Sequence, residues 1–258
     1  AGTYTAQLHV NDQTDKDKIN CPYKFENGTK VDDYTSRHSY IIKQRPFDVS
    51  FVYKDNKQEY TYDTTAQGLT KVNVVKVNGN NNSGLVNNDS ITLKIVVSGT
   101  VFVPYGYGGY SPTPQSTKGS ISVSPNTIDA GTYTVSVTLS SGSNYTFAGA
   151  SDTWTINKKT LSLGGLSNGT KVYDGEPFKP SLNINGQTVN NGTYTYGADT
   201  ITVKYTATST AGNAFVNVGE YNVSIGGSNS ISAKRDSKDT TANYKVDGTA
   251  SAKYTITA

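Results

Sequence analysis

The sequence predicts an all-β protein built from tandem immunoglobulin-like β-sandwich repeats, and three observations predict it. Hydrophobic residues make up 34% of the 258, with 19 Tyr and 25 Gly but one Trp and no Met, a balance suited to half-buried strands joined by many turns. Apolar residues alternate with polar ones at a period of two in segment after segment. A set of short motifs recurs in one order, at a spacing near the ~100 residues of a sandwich domain.

The recurring motifs divide the chain. Gly2-Thr3-Tyr4-Thr5 returns as Gly131-Thr132-Tyr133-Thr134 and, more loosely, as Gly219-Glu220-Tyr221-Asn222. Pro22-Tyr23-Lys24-Phe25 returns as Asn144-Tyr145-Thr146-Phe147 and as Asn243-Tyr244-Lys245-Val246. Each series closes on an aromatic strand, at Tyr40-Ile41-Ile42, Trp154-Thr155-Ile156 and Tyr254-Thr255-Ile256. An opening signal, Tyr62-Asp63-Thr64, is matched by Tyr173-Asp174-Gly175 in the same phase. Residues 1–44 therefore read as the back half of one repeat, 45–158 as a full repeat and 159–258 as another. The half repeat lacks its opening strands. Either a longer polypeptide supplies them upstream, or another chain does so by donor-strand complementation.

Within 45–158, the alternating stretches are Phe47–Phe51, Ile91–Val97 and Tyr133–Leu139. In 159–258, one strand is expected through Ile201, Val203 and Tyr205, and another through Tyr221, Val223 and Ile225. Asn185-Gly186, Asn191-Gly192 and Asp247-Gly248 are turn signals, because both residue types accept positive φ. Tyr173-Asp174-Gly175 reads as a tight structural turn, with Asp174 bonding a backbone N–H two residues on. A β-grasp arrangement with one short helix is the alternative fold, although no amphipathic helix of ordinary length is visible. Only Lys158-Lys159-Thr160 separates the last two repeats, so a semi-rigid junction is expected.

With these residues assembled, the last 100 or so positions resemble the MBG or YDG-type repeats of large bacterial surface proteins and adhesins. The resemblance rests on Lys171-Val172-Tyr173-Asp174-Gly175-Glu176-Pro177-Phe178, Val218-Gly219-Glu220-Tyr221-Asn222-Val223, Asn243-Tyr244-Lys245-Val246 and Tyr254-Thr255-Ile256, in that order. Residues 45–158 are similar through Gly131-Thr132-Tyr133 and Asn144-Tyr145, but their opening departs from Tyr-Asp-Gly. The resemblance implies an extracellular spacer or adhesive module on a bacterial envelope, as a stalk, filament or surface-layer array. It carries no catalytic residues across. The implied partners are neighbouring repeats or copies of the same chain.

Other function classes lack their parts. A net charge of +3 without a block of one sign argues against nucleic-acid binding. No apolar run of about 18 residues exists to insert in a membrane. Cys21 is the sole cysteine, which excludes an intrachain disulfide and reads as a small core residue. His9 and His38 form no metal motif, and no Gly-x-Ser-x-Gly elbow or Walker loop is present, so neither an enzyme nor a cofactor is expected. Asp12, Asp15 and Asp17 would offer oxygen to calcium, but the interleaved Lys16 and Lys18 favour a solvated loop. Asn-x-Ser/Thr sequons begin at Asn27, Asn81, Asn88, Asn144, Asn168, Asn191 and Asn222, and reflect the abundance of those residues. No Lys, Asn and acid triad for an intramolecular amide crosslink can be picked out from sequence.

The most unusual stretch is Pro104-Tyr105-Gly106-Tyr107-Gly108-Gly109-Tyr110-Ser111-Pro112-Thr113-Pro114. Tyrosine on a glycine-rich loop offers broad amphipathic contact area, which makes Tyr105, Tyr107 and Tyr110 a candidate recognition surface for a glycan or host protein. The other reading is an ordered linker packed on its own domain.

Overall fold

The computed structural model describes residues 2–7, 37–86, 88–101, 109–110, 114–124, 127–142, 144–178, 180–190, 192–209, 215–227 and 230–258. Among these the protein is all-β. The described helical turns are three-residue 3-10 segments such as Lys54–Asn56 and Thr241–Asn243, which leaves a β-grasp arrangement no α-helix there to use. Strand pairing falls into three stretches, residues 2–42, 45–157 and 159–257.

In 45–157 the larger sheet runs Glu59–Thr61, Ala150–Asn157, Gly131–Ser141, Ile91–Val101, with Gly109–Tyr110 at its edge. A second sheet holds Ser120–Ser122, Leu69–Val75 and Asp48–Tyr53. Period-two patterning puts Val135 opposite Val97 and Val137 opposite Ile95, all buried, while Ser136 and Thr138 take the other face. The sheets meet at Trp154, stacked on Tyr133 at 5.5 Å and tilted against Tyr53 at 5.7 Å. Two glycines make this packing feasible. A Cβ on Gly68, whose φ is +108°, would stand 2.4 Å from Trp154 Nε1, and one on Gly99 would stand 2.4 Å from Tyr133 Cδ1.

In 159–257 three four-stranded sheets surround the core. Asn185 (φ +50°) and Gly186 (φ +82°) close a two-residue hairpin between Leu182–Ile184 and Gln187–Val189, the positive-φ pair that suits a right-handed strand twist. One expectation is corrected here. The strand through Ile201 and Val203 does not continue to Tyr205: Asp199–Val203 ends, and Thr206–Ser209 joins a different sheet on Gly219–Gly226. The break is anchored by the Lys204 N–H on the Ser230 carbonyl (2.7 Å) and by the Tyr205 hydroxyl on the Pro180 carbonyl (3.1 Å). Asp247-Gly248 carries the chain from Tyr244–Asp247, paired with Lys159–Leu166, into Thr249–Thr257 of another sheet. Gly248 has φ +89° at that crossing.

Three antiparallel strand pairs share one register. Tyr4 lies opposite Tyr40, Tyr133 opposite Trp154 and Tyr221 opposite Tyr254, with Gly2, Gly131 and Gly219 facing Ile42, Ile156 and Ile256. In the two larger units the tyrosine hydroxyl then donates to the carbonyl four residues upstream, Tyr133 to Asp129 (2.6 Å) and Tyr221 to Asn217 (2.7 Å).

Candidate functional site: the joint between the two larger units

Lys158 alone separates the strand Ala150–Asn157 from Lys159–Leu166, so the ends of the two units are forced together. Glu59–Thr61 runs parallel to Ala150–Asn157, and the next N–H, that of Tyr62, donates to the Asn157 carbonyl at 2.8 Å. This fixes Tyr62 at the tip of its unit, pointing across the joint, where it is fully buried.

Asp199 receives it. The Tyr62 hydroxyl donates to Asp199 Oδ2 at 2.6 Å, and the Tyr244 hydroxyl donates to the same oxygen at 2.8 Å. Arg235 Nε donates to Asp199 Oδ1 at 3.0 Å, and its Nη2 donates to the Tyr62 hydroxyl at 2.6 Å. The Tyr62 and Tyr244 rings meet edge to face at 5.4 Å. A fully buried carboxylate is costly unless paired and hydrogen-bonded, and here it takes three donors, one of them cationic. Burial pushes both hydroxyls well above the usual tyrosine range, and the Asp199 hydrogen bond and charge add to that, so both remain donors.

A second cluster lies beside the first. Asp129 Oδ1 accepts from Asn243 Nδ2 at 2.8 Å, while Oδ2 pairs with Lys238 Nζ at 2.7 Å. Asn243 is fully buried, and its Oδ1 accepts the Ala130 N–H at 2.8 Å. At the rim, Thr64 Oγ1 accepts the Ala198 N–H at 3.1 Å. Lys238, Asp129 and Asn243 are the residue types of an amide crosslink, held together as an ion pair and a hydrogen bond.

Tyr173, Asp174 and Gly175 lie at the opposite end of residues 159–257. The Tyr173 N–H donates to the Thr257 carbonyl at 2.9 Å. Asp174 Oδ1 accepts the Glu176 N–H at 2.9 Å, and Gly175 has φ +80°. Lys171 Nζ, 2.6 Å from Asp174 Oδ1, holds that carboxyl below the usual carboxylate range. Tyr110 sits in the edge strand Gly109–Tyr110, opposite Val97, whereas Tyr105 and Tyr107 lie outside the described residues. Cys21, His9, Asp12, Asp15 and Asp17 also lie outside them. Among the described residues no group of His, Cys, Asp and Glu is placed to hold a metal ion, and no helix is long and apolar enough to cross a membrane.

Sequence reasoning missed Asp129, Asp199, Arg235, Lys238 and Asn243 as joint residues. One signal was present. Asp199 stands two residues before Ile201 and bonds Tyr244, just as Asp89 stands two residues before Ile91 and accepts the Tyr145 hydroxyl at 2.8 Å.

No family model matches the chain, and no curated protein matches it. Among solved structures it is similar to the three N-terminal domains of the Highly Immunogenic Outer Capsid protein (Hoc) of bacteriophage RB49. The identity is 12%, the match covers 87% of this chain and 75% of that one, and the TM-score of 0.26 is too low to carry an argument.

Proposed function

We propose that this chain is a structural segment of a bacterial cell-surface protein: tandem immunoglobulin-like sandwiches locked end to end as a stalk, filament or surface-layer array outside the cell. Its partners are neighbouring repeats or copies of itself, and it does no catalysis. The observation that carries this reading is the joint, where Asp199 binds Tyr62 from one unit and Tyr244 and Arg235 from the other in a buried cluster. A flexible connection between independently working domains would have no use for such a cluster, because desolvating a carboxylate is rewarded only when all its partners are held in place. The immunoglobulin-like assignment is supported by Tyr133 and Tyr221, whose hydroxyls bond the backbone just upstream in the manner of the tyrosine corner of β-sandwiches. Backbone NMR relaxation on the full chain tests rigidity. One common rotational correlation time for 45–157 and 159–257 is the expected result, and independent tumbling would overturn the proposal.

The adhesive reading has one observation in its favour. Gly109–Tyr110 pairs with Val97 and Ser98 as the last strand of the larger sheet among the described residues, which sets Tyr110 on an outer strand. Glycan-array binding that is lost when Tyr105, Tyr107 and Tyr110 are changed to Ala would support it. The absence of any binding by the intact chain would remove it.

A further inference from the structure

The joint has a second, uncovered copy of one of its halves. Tyr62 follows a strand that runs parallel to its unit's closing strand and donates its N–H to the Asn157 carbonyl; Tyr173 follows Gly169–Val172, parallel to Thr249–Thr257, and donates its N–H to the Thr257 carbonyl. Ala130, just before the Gly131 that faces Ile156, matches Val218, just before the Gly219 that faces Ile256. The burial is reversed. Tyr62 and Ala130 are 0% exposed beneath the next unit, whereas Tyr173 is 51% and Val218 49% exposed, with Val172 at 66%. Val172 pairs with Thr257, and Val218 directly precedes Gly219, which faces the adjacent Ile256, so the three apolar side chains border one sheet end.

We infer that this end, with Tyr173 at its centre, is a docking face for another repeat of the kind formed by residues 159–258, which receives the Tyr173 hydroxyl on a buried carboxylate as Asp199 receives Tyr62. The inference rests on the proposed end-to-end array and names the contact that would extend it. The occupant must bring an Asp, a second tyrosine and a guanidinium, the set Asp199, Tyr244 and Arg235. Asp129 is replaced at this end by Asn217 and Thr64 by Gly175. Contact here therefore does without the Lys238 ion pair and the Thr64 rim bond, and leans on the tyrosine and the two valines.

The test is a fusion of residues 1–258 directly followed by a second copy of 159–258 that carries Tyr173→Phe, so that Tyr173 of the original unit gives a unique peptide. Nitration by tetranitromethane is then mapped by mass spectrometry in the original chain and in the fusion. Calorimetry, by an unfolding enthalpy that grows with the added residues, certifies that the added copy is folded. Tyr173 is expected to nitrate readily in the original chain and to lose that reactivity in the fusion, down to the level of Tyr62. Asp199→Ala in the added copy is expected to restore it. Equal nitration of Tyr173 in chain and fusion, with Tyr62 protected, overturns the docking face and leaves the internal joint standing. Nitration of Tyr62 in the original chain overturns the joint and the proposed array with it. Protection that survives Asp199→Ala overturns the carboxylate as the recognition element.

Discussion

Replacing Tyr62 by Phe removes one oxygen from the centre of the joint while keeping the ring that meets Tyr244. The lost bond is 2.6 Å long and ends on a fully buried carboxylate, and hydrogen bonds to charged groups contribute about 1.5–3 kcal/mol. Asp199 keeps Tyr244 and Arg235, and the Arg235 side chain, 20% exposed, can replace its lost Tyr62 contact with water. The net cost should fall near the lower part of that range, about 2 kcal/mol. With a urea slope of about 2 kcal/mol/M, the midpoint should drop by about 1 M. Trp154, the chain's sole tryptophan, reports unfolding of 45–157 by fluorescence, and far-ultraviolet circular dichroism reports both units. The two transitions should coincide in the parent chain, because the joint couples the units, and should separate in Tyr62→Phe. A double-mutant cycle with Asp199→Asn should return a coupling of about 1.5–2 kcal/mol. A midpoint shift below about 0.2 M, or a coupling near zero, would refute the view that this contact holds the units together.

Raising the pH acts on the same contact. Tyr62 and Tyr244 have folded-state pKa values raised above the ordinary tyrosine value of about 10, so their contribution is complete below pH ~10 and is lost as pH rises through the higher folded values. Burial raises other tyrosines too, Tyr53, Tyr133 and Tyr205 among them, so the readout is a difference: near-ultraviolet absorbance of the parent chain minus that of Tyr62→Phe should show one tyrosine ionising above the ordinary value, and a difference at the ordinary value would contradict its burial. Asp129→Ala deprives buried Asn243 and Lys238 of a shared partner and should cost about 2–4 kcal/mol, read by calorimetry. Gly99→Ala drives a methyl into the Tyr133 ring and should cost about 1–3 kcal/mol of overpacking, lowering the melting temperature by several degrees.

The all-β class was legible because alternation is a local property. Ile91, Leu93, Ile95 and Val97 declare a half-buried strand whatever lies around them, and each is buried on one face. Asn185-Gly186 was legible for the same reason, since positive φ is a demand on two adjacent residues. Which sheet a strand joins is not local. Tyr205 keeps the alternation begun by Ile201 and Val203, yet its hydroxyl is claimed by Pro180, and the chain changes sheets beneath an unbroken pattern. The joint was harder still. Tyr62 and Asp199 lie 137 positions apart, and an isolated Asp before an alternating strand gives no hint of its burial. Only the echo of Asp199–Tyr244 in Asp89–Tyr145 was within reach of sequence comparison.

The parallel pairing at both margins of each larger unit has a mechanical consequence. In 159–257 the first strand, Lys159–Leu166, lies alongside Tyr244–Asp247, and Gly169–Val172 lies alongside the final strand Thr249–Thr257, each pair pointing the same way. Residues 45–157 do the same through Arg45–Pro46 with Tyr145–Thr146 and Glu59–Thr61 with Ala150–Asn157. A pull applied at the two ends of such a unit drags neighbouring strands past one another in shear, loading their cross-strand hydrogen bonds together. Antiparallel strands pulled from their open end would peel one bond at a time. The arrangement suits a module that bears tension along its length.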